Sequence, residues 1–152
     1  MKIPDFLSVN DVMPAVAASD KQSLLLELAR KAESKLDISV DHIFSELIKR
    51  EQLGSTGVGG GVAIPHARYQ QIKKPFGILV RLRKPIDFDA VDAKPVDIVF
   101  LLLLPEAGGG EPLGAPASIA RMLRDPAITA ALRTARDGAD MYRTVTADRH
   151  QA

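Results

Sequence analysis

Leu24, Leu28, Ala32 and Leu36 recur every four residues, the spacing of an amphipathic helix, and Ser19-Asp20-Lys21-Gln22 just before them has capping-box spacing. Val40, Ile43, Leu47 and Ile48 mark a second helical face with charges opposite. Glycine suits a helix C-terminus, so this helix is predicted to end near Leu53-Gly54. The period then changes. Phe76 to Arg83 (FGILVRLR) ends in alternating apolar and basic residues, the signature of a half-buried strand, which Lys84-Pro85 closes. After a turn-rich connection from Asp87 to Pro95, Val96 to Leu104 is apolar on both alternating sets apart from Asp97, which predicts a central strand covered on both faces. Pro105 and the EAGGG segment stop it. Ile119 and Leu123 then fall at helical spacing within Ala117 to Leu123, and Asp125-Pro126 supplies an N-cap and a first-turn proline for a further helix ending near Gly138.

Short strands mixed with helices predict an α/β (α+β) domain, a sheet covered by helices. No repeat or long linker interrupts the 152 residues, so the expectation is one domain over 1–147 and a frayed tail over 148–152. Charge narrows the function classes. Twenty basic and 19 acidic residues are scattered to a net +1, with no basic stripe for nucleic acid. Cysteine is absent, which excludes disulfides, thiolate chemistry and cysteine-ligated zinc and fits a reducing cytosol. The start, MKIPDFLSVNDV, has no continuous apolar core of a secretory signal, and the run Ile98 to Leu104 is far short of the ~20 residues that span a bilayer. A cytoplasmic protein without membrane insertion is expected.

The candidate chemistry lies in GSTGVGGGVAIPHAR, Gly54 to Arg68. A glycine-rich loop is the usual form of a phosphate cradle, because glycine lets backbone N–H groups converge on an anion. Both nucleotide versions fail: the segment lacks the lysine of a Walker loop, and Val62 stands where a dinucleotide fingerprint needs its third glycine. On the glycines alone, a flexible link between helix and strand is the simpler reading. His66 is more pointed. Pro65 restricts Ile64 to an extended conformation and puts the imidazole just past a short strand. No second histidine or nearby carboxylate offers a zinc site, and Ser55 lacks the sequence of a nucleophile elbow. A metal and a cofactor are therefore not expected, and His66 itself is left as the nucleophile. A neutral imidazole attacks phosphorus with one nitrogen when an acceptor holds the other N–H, and the transferred oxygens then need donors. Ser55, Thr56, the amides of Gly59 and Gly60, and the guanidinium of Arg50 or Arg68 are the candidates. Spacing places neither arginine beside His66, and a solvated surface charge is an equal reading of each.

Arg50-Glu51, Leu53-Gly54-Ser55-Thr56-Gly57 and Gly61-Val62-Ala63-Ile64-Pro65-His66 together resemble the EIIA domain of the fructose/mannitol class of the bacterial phosphotransferase system. SDKQSLLLELARKAE, PIDFDAVDAKPVDIVFLLLLP and LRDPAITAALRTA look like further parts of that family, so the resemblance covers nearly the whole chain. It implies a mixed sheet flanked by helices and a histidine that accepts a phosphoryl group from an HPr-like phosphohistidine carrier. Carried over, that role falls on His66, with Arg50 neutralising the group and Thr56 and the loop amides donating to it. A free-standing domain of this kind looks most like the nitrogen-related EIIA regulators. For those, the resemblance implies protein targets such as potassium transport components or sensor kinases.

Three departures bear on this reading. Glu111-Pro112-Leu113 stands where the family usually carries an auxiliary histidine, Gly60 where many members have a polar residue, and Ala67-Arg68 where a glycine and a basic residue are common, so that the positive charge is kept and the glycine lost. Two other readings stay open: the EIIA component of a split fructose-type transporter, and a binding module that no longer accepts phosphate.

Overall fold

The computed structural model describes residues 2–106 and 114–147. Two 3-10 turns (Ile3–Asp5, Val9–Asp11) lead into strand β1 (Val12–Val16), helices α1 (Lys21–Glu33) and α2 (Val40–Gln52), and strands β2 (Gly57–Gly59), β3 (Val62–Ala63) and β4 (His66–Tyr69). Strands β5 (Phe76–Ile86) and β6 (Val96–Pro105) follow, then helices α3 (Ala115–Leu123), α4 (Pro126–Thr134) and α5 (Gly138–Thr146). The strands form one sheet in the order β1-β5-β6-β3-β2, with β4 also on β6. β1 runs parallel to β5, β3 and β4 parallel to β6, and the β5–β6 and β2–β3 pairs are antiparallel. The sheet is mixed and flanked by helices.

Strand β6 is apolar on both faces because both faces are covered. Val99, Leu101 and Leu103 pack with Leu24, Leu28 and Leu47 beneath α1 and α2. Their alternating neighbours Ile98, Phe100, Leu102 and Leu104 pack with Ile119, Leu132 and Met141 beneath α3, α4 and α5. The two-residue period of a strand makes this division, and it fits the predicted central strand. β3 and β4 lie along β6 in a single register, Val62 opposite Ile98 and His66 opposite Leu102, interrupted only at Ile64-Pro65. Proline has no N–H to add to a ladder, so the break falls where the sequence puts Pro65.

Several boundaries differ from the sequence pattern. The cap of α1 is shifted by one residue: Asp20, not Ser19, accepts from the Ser23 amide at 2.8 Å, and the Ser23 hydroxyl takes the Asp20 amide at 3.2 Å. Leu36 lies beyond that helix. Lys84-Pro85 does not end β5, which continues to Ile86 through a register shift after Arg81. An irregularity in the ladder is where a missing donor is tolerated. α4 ends at Thr134 rather than near Gly138, because the half-buried Arg81 guanidinium reaches from β5 to the carbonyls of Leu132 and Ala135, both at 2.8 Å. Gly138 instead opens α5, capped by Asp137, which accepts from the Asp140 amide. α3 starts at Ala115, two residues before the predicted start, with Pro116 in its first turn. Strand β1, interrupted in sequence by Pro14, carries no pattern that announces it. Glu111, Pro112, Leu113 and the expected tail at 148–152 lie outside the described residues.

Candidate functional site

Pro65 breaks the ladder, and the carbonyl of Ile64 at that break accepts a hydrogen bond from His66 Nδ1 at 2.8 Å. A carbonyl oxygen can only accept, so Nδ1 carries the proton and Nε2 keeps a lone pair. Ala67 and Tyr69 point into the core beneath α1 and α2, so strand alternation assigns half-buried His66 and Arg68 to the other face. His66 is the first residue of β4 rather than a residue past a strand end. Burial pushes its imidazole below the ordinary histidine value. The Ile64 hydrogen bond and the Glu51 carboxylate oppose this, while the Arg50 and Arg68 guanidiniums reinforce it. The ring is neutral at neutral pH, with its free electron pair on one defined nitrogen.

Both candidate arginines therefore lie within electrostatic reach of His66. Arg50, in the last turn of α2, is anchored by an Nη1 hydrogen bond to the Gly54 carbonyl at 2.9 Å. Arg68 donates from Nη1 to the Pro105 carbonyl at 2.9 Å. Glu51, next to Arg50, turns inward: it is buried, its Oε1 accepts the Thr56 amide at 3.1 Å, and its Oε2 accepts the Thr56 hydroxyl in a short hydrogen bond. Thr56 in turn presents its carbonyl to the amide of Ile64 at 3.0 Å. One chain of hydrogen bonds thus runs from the end of α2 through Thr56 and Ile64 to the imidazole. The Ser55 hydroxyl donates to the Phe88 carbonyl at 2.6 Å and accepts the Gly57 amide at 3.0 Å. Both hydroxyl protons expected to meet a phosphoryl group are committed to partners outside the loop, the Phe88 carbonyl and the Glu51 carboxylate.

The family model for the EIIA 2 domain of the phosphoenolpyruvate-dependent sugar phosphotransferase system matches residues 5–147. The chain belongs to this family. It is 44% identical over 142 residues to the nitrogen regulatory protein of Bradyrhizobium diazoefficiens, covering 93% of each chain. It is 35% identical over 146 residues to that of Pseudomonas aeruginosa, covering 95% of each. The crystal structure of nitrogen regulatory protein IIA-Ntr from Neisseria meningitidis superposes with a TM-score of 0.89 at 34% identity, over 95% of this chain and 99% of that one.

Within this EIIA domain the glycine segment is an architectural turn. Gly59, Gly60 and Gly61 have φ of +100°, +68° and +82° and link β2 to β3. The Gly60 amide donates to Asp92 Oδ2 at 3.0 Å, and its carbonyl accepts from Arg133 Nη2 at 2.9 Å. Arg133 is itself forked onto Asp97 through two hydrogen bonds of 2.9 Å. Register sets the turn beside Ile98 and His66 beside Leu102, about 13 Å further along β6 at ~3.3 Å per residue. This placement sets Gly59 and Gly60 away from His66, where the resemblance implies that loop amides donate to a phosphoryl group. They line a separate cleft with Leu123 and Thr129.

The residues that sequence reasoning left without a role are Lys21, Glu51, Asp92, Asp97 and Arg133. Glu51 had a signal in the Arg50-Glu51 pair, and Asp97 in being the one charge within the apolar run of β6. The others act through contacts distant in sequence, for which spacing offers no clue.

Proposed function

We propose that His66 accepts a phosphoryl group on Nε2 from the phosphohistidine of an HPr-like carrier, and that the modified and unmodified forms bind different regulatory proteins in the cytoplasm. The observation that carries this reading is the 2.8 Å hydrogen bond from Nδ1 to the Ile64 carbonyl. The Nε2 lone pair forms the new N–P bond while the donor's N–P bond breaks, its electron pair returning to the donor imidazole. The Nδ1 proton stays in place. As positive charge develops on the His66 ring, the Ile64 carbonyl and the Glu51 carboxylate stabilise it. Arg50 and Arg68 offset the charge on the phosphoryl oxygens. Ser55 and Thr56 act indirectly, by holding the loop that holds the ring.

Relatives named as nitrogen regulators span nearly the whole chain, which supports a regulatory output over a split sugar transporter. Among the described residues no helix is long and apolar enough to cross a membrane. Phosphorylation adds charge to a chain of net +1, so it shifts the local electrostatics that a partner meets. The targets expected are potassium transport components or sensor kinases. Incubation with phosphoenolpyruvate and active upstream carriers tests the reading. An acid-labile mass gain of one phosphoryl group, lost in His66→Ala, supports it. No gain would leave a binding module that takes no phosphate, and onward transfer to an EIIB protein would favour the transporter.

A further inference from the structure

Lys21 is the first residue of α1, directly after the N-cap carboxylate of Asp20, and its side chain turns away from that cap toward the end of α2. The side chain is mostly withdrawn from water. Its Nζ lies 2.8 Å from Glu51 Oε1, 3.8 Å from Asp89 Oδ2 and 4.7 Å from the centroid of the Phe88 ring. Glu51 is the buried carboxylate that holds both the amide and the hydroxyl of Thr56. A lysine at a helix start that gives its charge to a buried acid of another helix, close to the reacting group, has a task outside its own helix.

We propose that Lys21 is a positioning residue for His66: by neutralising Glu51 from α1, it keeps the Glu51–Thr56–Ile64 chain in place and limits the negative charge that the imidazole meets. This rests on His66 being the acceptor. The charged groups around the imidazole are Arg50 and Glu51 from α2 and Arg68 from β4, with Lys21 acting from α1 through Glu51. Arg50 and Arg68 favour the neutral ring, and Glu51 favours the protonated one. Removing Lys21 leaves Glu51 unbalanced, so the ring holds its proton to higher pH and fewer molecules present a free Nε2 pair.

The test is an NMR titration of the His66 imidazole, which needs no phosphoryl donor and so stands or falls separately from the proposed transfer. Lys21→Met should move the His66 midpoint upward by about 0.5 pH unit, as for a screened charge that acts on the ring through Glu51. Lys21→Arg should restore the wild-type midpoint. Glu51→Gln should move the midpoint downward, and adding Lys21→Met to it should then change nothing. The Glu51→Gln background also removes the buried charge, which keeps the comparison available if Lys21→Met alone does not fold. An unmoved midpoint in Glu51→Gln, or a Lys21→Met shift of equal size with and without Glu51, would overturn the proposal.

Discussion

The His66 imidazole is oriented and kept neutral by its neighbours in the chain as much as by the fold. Proline at 65 ends one short ladder, the Ile64 carbonyl at that break takes Nδ1–H, and burial then disfavours the charged ring. The direction of that shift fixes a pH dependence. Because the folded value lies below the unfolded value of about 6.5, the unfolded chain takes up the proton first as pH falls. The stability carried by the neutral ring is whole above about pH 6.5 and is lost as pH falls through the folded value. His66→Gln should therefore lose less stability than wild type between neutral and mildly acidic solution, as read from urea midpoints. Equal losses in the two proteins would contradict it. Phosphoryl acceptance should likewise hold its neutral level down to about pH 6.5 and decline only below it.

At the scale of elements, the β2–β3 turn carries a testable distinction between two glycines that look alike in sequence. A Cβ on Gly60 would meet open space, so Gly60→Ala carries only the left-handed backbone penalty of about 1–2 kcal/mol. A Cβ on Gly61 would run into the Arg133 guanidinium and come within 3.0 Å of Asp97 Oδ1. Gly61→Ala should therefore cost more than Gly60→Ala and loosen the fork between α4 and β6, with thermal unfolding giving the order. The opposite order would mean that this clamp does not hold the turn. Elements whose signal is periodic and local were legible in the sequence: the faces of α1 and α2 and the two-sided apolar run of β6. Elements decided by distant partners were not. Arg81 ends α4 from another strand. Gly138 looks like a helix stop, but its lack of a side chain serves the close approach of α5 to β1, where a Cβ would lie 3.3 Å from the Val12 carbonyl. The partners of the glycine turn were hidden for the same reason, since Asp92 and Arg133 come from other parts of the chain.

The whole molecule is a sheet between two apolar layers, and β6 belongs to both. Phe100→Ala in one layer should cost about 3–5 kcal/mol and Leu101→Ala in the other about 2–5 kcal/mol, because neither face has solvent to relax into. A small cost on one face alone, measured by denaturant unfolding, would mean that its helices are not packed as described. This two-sided support lets a short segment beside β6 hold an imidazole in one orientation. His66 and Arg50 were legible as candidates because both lie in the stretch from Arg50 to His66 that carries the family resemblance. The support from Lys21, which precedes that motif by a whole helix, was not. The central claim is that the fold delivers a lone pair on one atom, His66 Nε2. The most direct measurement is nitrogen-15 NMR of the protein after phosphorylation by its carrier. The account predicts a single phosphoramidate signal from Nε2 of His66, with Nδ1 still protonated; a phosphoryl group on Nδ1, on another residue or on none would contradict it.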